Sequence, residues 1–97
     1  MNNLTSLFKE AVLITNDGGL YHGIAYSNNK YMDSTSTVTI LIGSEKHVFK
    51  LKDVASIAVK KFNGKFYSLW YKDHIYRVDP TSDIYQEVAS LFKNWSN

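Results

Sequence analysis

The stretch VASIAVKKFNGKFYSLWYKDHIYRVDP, residues 54–80, decides the fold. Its apolar residues recur at every second position, the period of a β-strand, and polar punctuation cuts it into three runs. In residues 54–62, Ala55, Ile57 and Val59 share the face expected to point inward. Asn63-Gly64 predicts a tight hairpin, because a type I′ turn needs positive φ at both central residues. In residues 65–72 alternation puts Phe66, Ser68, Trp70 and Lys72 on one face and Lys65, Tyr67, Leu69 and Tyr71 on the other. Residues 74–78 form the last strand, after Lys72-Asp73. Asp79-Pro80 then stops the sheet and starts a helix, with Asp as cap and Pro at the first helical position.

The helix, residues 80–95, carries Ile84, Val88, Leu91 and Trp95 as one apolar stripe that Tyr85 and Phe92 widen. Such a surface has to cover a sheet. Upstream the period is again two. Val12 and Ile14 precede Asn16-Asp17-Gly18-Gly19, a turn signal, and Leu20, His22, Ile24 and Tyr26 alternate after it. Gly23 inside that strand predicts a bend or bulge. Val38, Ile40 and Ile42 share one face, and Phe49 and Leu51 alternate beyond Gly43-Ser44-Glu45. Leu4, Leu7, Phe8 and Ala11 instead follow i, i+3, i+4, i+7, which predicts a short helix over residues 1–10. The expectation is one domain over residues 1–97: a short helix, β-strands over 11–79, and the C-terminal helix. The fold class is mainly β (α+β), a small antiparallel barrel or sandwich of about seven strands capped by that helix. The alternative is a five-stranded barrel followed by a C-terminal hairpin and helix.

Composition sets further bounds. The chain has 97 residues, 44% hydrophobic, with seven Tyr, five Phe and no Cys. Without cysteine there is neither a disulfide nor a thiolate metal site, so packing must supply stability, as in a reducing compartment. No apolar run approaches the length of a membrane span, and residues 1–10 lack the pattern of a signal peptide. A cytoplasmic protein is expected. Richness in Asn, Lys, Tyr, Ser and Ile matches AT-rich codons and points to a low-GC bacterium or its phage. The net charge of +2 is uneven: residues 46–77 carry eight basic residues against Asp53 and Asp73. Such asymmetry fits an anionic partner, or lysines that keep a sheet soluble and its edges guarded.

The order of seven strand-like segments and one helix resembles the pleckstrin-homology superfamily, in particular its short GRAM-like versions. The residues that carry the resemblance are Val12-Leu13-Ile14-Thr15-Asn16 before a turn, residues 49–57 (FKLKDVASI) and residues 72–78 (KDHIYRV). A competing likeness is to the Sm-like barrel, through Asp17-Gly18-Gly19-Leu20-Tyr21-His22-Gly23 and residues 54–59. That likeness covers residues 4–60 only, lacks the second Sm motif, and leaves residues 61–97 without a role. The first resemblance implies a helix-capped β domain that binds rather than catalyses, with lipid as one ligand class.

Catalytic constellations are missing. His22, His47 and His74 are not at metal-ligand spacing, and there is no Gly-x-Ser-x-Gly. His22 shares the parity of Leu20 and Ile24 and reads as a strand histidine with one hydrogen bond, while His74 adjoins a turn. The carboxylates are dispersed. These observations point to a non-enzyme without a cofactor or bound metal. Binding remains. Residues 60–72 interleave cations and aromatics on one hairpin, and the candidate partner-binding residues are Lys60, Lys61, Lys65, Tyr67, Trp70, Tyr71, Lys72 and Arg77. One face of such a hairpin must be core; the other has the composition of a protein hot spot. The leading expectation is a protein-interaction module, a small regulator or inhibitor from a phage or mobile element, using this hairpin or a strand edge. The alternative is a nucleic-acid or anionic-surface binder, membrane included, drawing also on Lys46, Lys50 and Lys52. A homodimer is compatible with either, through β-branched residues 35–42.

Overall fold

The computed structural model describes residues 8–26 and 37–93. Seven antiparallel strands form one sheet: β1 (Phe8–Thr15), β2 (Leu20–Tyr26), β3 (Thr37–Ile42), β4 (Glu45–Lys50), β5 (Val54–Lys61), β6 (Phe66–Tyr71) and β7 (His74–Val78). A helix, α1 (Tyr85–Lys93), follows. The strand order is β4-β3-β2-β1-β5-β6-β7, and among the described residues the sheet is unclosed, ending on β4 and β7. β3 lies between β2 and β4, so the β-branched segment expected at an edge is an interior strand.

β1 holds the centre. It pairs β2 on one side and β5 on the other, and Ala11, Val12 and Leu13 are all buried. Consecutive side chains of a strand point to opposite faces, so this run buries both faces. Ala11 and Leu13 join Val38, Ile40, Leu51, Val54, Ile57 and Trp70 in one core. Val12 joins Ala58, Tyr67, Val78, Val88 and Phe92 in the other, beneath α1. Phe92 stacks on Tyr67 with ring centroids 4.9 Å apart. Burying Val88 and Phe92 contributes about 1.5–3 kcal/mol each.

Three expectations need correction. Residues 8–10 are strand, not helix, because Phe8 to Glu10 pair with β2; the rest of the expected N-terminal helix lies outside the described residues. α1 starts at Tyr85, not at Pro80. Asp79 closes a turn of its own there: its carboxylate accepts from Thr81 N at 3.0 Å and Thr81 Oγ1 at 2.6 Å, and Ser82 N donates to Asp79 O at 2.8 Å. The helix face is also rotated: Val88 and Phe92 are buried, while Ile84 precedes the helix and is exposed. Trp95 lies outside the described residues.

Gly23 is needed for space. The ladder between β1 and β2 runs through it without interruption, Ala11 opposite Gly23. A Cβ at Gly23 would lie 2.2 Å from the Leu41 carbonyl oxygen and 2.9 Å from Ile40 Cγ2. The irregularity in β1 lies instead at Ile14/Thr15 against β5. Gly23→Ala should therefore push β3 away and lower stability by about 2 kcal/mol, the usual cost of an overpacked core site. Thermal or urea unfolding measures it, and an unchanged midpoint would show that β3 yields freely.

Candidate interaction surface

The β5–β6 hairpin pairs Lys61 with Phe66, leaving a four-residue connection instead of a two-residue Asn63-Gly64 turn. Phe62, Asn63 and Gly64 have φ of 47°, 58° and 93°, and Lys65 returns to helical geometry. Lys65 N donates to Phe62 O at 3.2 Å, closing the loop. Asn and Gly adopt left-handed backbone readily, whereas a bulky residue there costs about 1–2 kcal/mol. Phe62 bears that cost while 71% exposed. Its ring lies 5.4 Å from that of Phe66, and the Arg77 guanidinium sits 3.9 Å from the centroid of Phe66. The Tyr85 hydroxyl donates to Gly64 O at 3.2 Å, anchoring the hairpin tip to α1.

The candidate residues separate into core and surface. Tyr67 is 4% exposed and Trp70 6%, one in each core, so neither ring is available to a partner. Trp70 Nε1 is buried without a hydrogen-bond partner among the described residues. Lys60 Nζ lies 3.2 Å from Glu10 Oε1 and 5.9 Å from the Phe92 centroid. Lys61 is half-buried and borders an apolar groove with Ile57, Val59, Ser68, Trp70 and Ile75. Lys65, Tyr71, Lys72 and Arg77 are exposed. Lys72 lies 5.3 Å from the Tyr71 ring, and Arg77 Nε lies 3.6 Å from Asp79 Oδ2.

The basic segment is spread over several elements. Lys46 and Lys50 are on β4 and Arg77 is on β7, the two ends of the sheet, although Lys52 and Lys72 border one cleft of about 370 Å³.

Among the described residues, seven exposed large apolar residues lie outside the candidate set, among them Phe62, Ile75 at 64% exposure and Tyr76 at 45%. The signal for the last two was available. Apolar residues at both parities of the final strand before a helix mark a strand with no later neighbour to cover it.

Glu10, His22 and Lys60 form a polar cluster beside α1. His22 Nε2 lies 2.7 Å from Glu10 Oε2, and the His22 ring meets Phe92 edge-on at 5.9 Å. Burial acts to raise the Glu10 pKa, but hydrogen bonds from His22 and Lys60 outweigh it and hold the group below its ordinary 4.5. Among the described residues no group of three His, Asp or Glu side chains is placed to hold a metal ion, and no helix is long and apolar enough to cross a membrane. Comparison with models of known families, with curated proteins and with solved structures finds no match for this chain.

The Glu10 pairing implies a sign for acid stability. A carboxylate whose folded pKa is depressed stabilises the fold above its unfolded value, and that contribution is lost as pH falls through the folded value. The melting temperature should drop below about pH 4.5, and Glu10→Gln should flatten the drop. Asp17 and Asp79, held low chiefly by the Thr15 and Thr81 hydroxyls, act in the same direction and should leave a residual slope. Identical acid profiles for wild type and Glu10→Gln would remove the cluster from the account.

Proposed function

We propose that this chain is a non-enzymatic, cytoplasmic protein-interaction module, a small regulator or inhibitor carried by a phage or mobile element. Its contact surface is the tip of the β5–β6 hairpin, with Phe62 as the anchor. The observation that carries this reading is an exposed phenylalanine in left-handed backbone. Its contact with Phe66 leaves the residue largely exposed, and residues held in costly conformations tend to be retained for contact. The surroundings suit an anchor: Phe66 and Arg77 support the ring, Tyr85 ties down the tip, and Lys61 and Lys65 flank it. Aromatic and arginine side chains held rigid ahead of binding are the usual centres of interface energy. The pleckstrin-homology-like reading of the fold, as a small barrel or sandwich, is supported by seven strands followed by a C-terminal helix.

Phe62→Gly separates contact from folding. It removes the backbone penalty, so stability should rise by about 1 kcal/mol while binding falls tenfold or more. Affinity capture from nuclease-treated host lysate, with wild type and Phe62→Gly side by side, makes the comparison. A stoichiometric protein retained by wild type and lost by the variant supports the proposal. Recovery of the same protein by both, or of nucleic acid alone from untreated lysate, would overturn it.

A further inference from the structure

The two ends of the sheet are built differently. β4 carries Lys46, Val48 and Lys50 at alternate positions, all exposed, so pairing two β4 strands about Val48 would set Lys46 against Lys50 of the other copy. Lysines placed this way guard an edge. β7 has no such guard. Four of its five residues are exposed, Ile75 and Tyr76 among them, and its one Lys or Arg, Arg77, lies against Phe66 and Asp79. Among the described residues β6 lies on one side of β7 and no strand on the other.

We infer that β7 pairs with β7 of a second copy of this chain, antiparallel and centred on Ile75, making one continuous sheet through both molecules. The register follows from symmetry and charge. A twofold axis perpendicular to the sheet keeps each face on its own side, so a residue can oppose only residues of its own parity. Centred on Ile75, the axis sets Ile75 against Ile75 and His74 against Tyr76, and it brings Asp73, in the turn that opens β7, beside Arg77 of the other copy. Every pair is then apolar, aromatic or oppositely charged, the combinations that stabilise adjacent strands. Centred on Tyr76, the same operation opposes Asp73 to Asp79 and Ile75 to Arg77. Centred on His74, it opposes Ile75 to Asp73. Only the Ile75 register satisfies both charge and hydrophobicity.

The flanks fit as well. Ile75 borders the groove formed with Ile57, Val59 and Trp70, so the two grooves meet across the axis as one apolar strip. Arg77 can stay face-on to Phe66 and still donate from its edge to Asp73, because a planar guanidinium stacks and hydrogen-bonds in different directions. Tip and edge share Arg77, but Phe62 takes no part in the pairing, so this inference stands whether or not the tip binds a protein.

Sedimentation equilibrium decides the matter. Wild type should show twice the 11.1 kDa chain mass at high micromolar concentration. Asp73→Lys and Arg77→Glu, each alone, bring like charges together and should be monomeric. An equimolar mixture of the two restores both opposite-charge pairs and should recover the dimer. Ile75→Lys should be monomeric, and Phe62→Gly should leave the mass unchanged. Circular dichroism melting confirms that each variant is folded; should Ile75→Lys fail to fold, the charge-swapped mixture carries the test. Monomeric wild type, a mixture that does not recover the dimer, or a mass that climbs past two copies with concentration would overturn the inference.

Discussion

The structure depends on β1 being buried on every side. Its backbone bonds β2 and β5, and its consecutive residues Ala11, Val12 and Leu13 supply alternate side chains to two cores. A strand in that position has no face left for water, which is why Ala11 and Leu13 are apolar as well as Val12 and Ile14, the pair whose alternation marks the strand. Each core recruits its own cover: Val38, Ile40, Leu51 and Val54 on one face, and α1 on the other. The loop between β1 and β2 is fastened to the segment that precedes β5, the strand beside β1. Asn16 N donates to Asp53 O at 2.9 Å and Asn16 Nδ2 to Lys52 O at 2.9 Å, which fixes the chain entering β5 against the turn leaving β1.

Most strands were legible because their turns are chemically explicit. Gly18 and Gly43 both sit at positive φ in connections marked in advance by polar residues. Where expectation and structure part, a local rule was overruled by a specific competitor. The helical spacing of Leu4, Leu7, Phe8 and Ala11 gave way to pairing of residues 8–11 with β2, since tertiary pairing outweighs a weak local period. The type I′ geometry expected at Asn63-Gly64 lies at Lys72-Asp73, where both residues have positive φ, 50° and 63°, and Tyr71 pairs directly with His74. Lys-Asp is not the sequence that announces such a turn; the two strands impose it. Gly23 was visible as unusual, but only the approach of the Leu41 carbonyl explains why.

The site was legible in composition and not in exposure. Alternation correctly separates Trp70 from Tyr67 onto opposite faces, yet it cannot say that both faces are covered, because the second cover is a helix some twenty residues downstream. The rings of Tyr67 and Trp70 therefore belong to the cores, and the side chains left at the rim are Phe62, Phe66 and Arg77 at the tip and Ile75 and Tyr76 at the edge. Ile75 and Tyr76 are announced by apolar residues at both parities of the last strand, whereas the exposure of Phe62 follows from the left-handed loop, which no local pattern marks.

An edge strand and a strained aromatic tip raise opposite problems for a small domain. The tip costs backbone energy and is stabilised from outside, by Phe66, Arg77 and the Tyr85 hydrogen bond to Gly64. The edge costs nothing locally, but it leaves backbone donors and acceptors open to any extended chain. A protein of this size answers such exposure with charge, as β4 does with Lys46 and Lys50, or by filling the edge with a fixed occupant. Arg77 bears on both problems at once. It braces the aromatic stack of the tip, and it is the residue whose charge selects one register at the edge. Tip and edge are thus joined through a single side chain at the start of the turn that leads to α1.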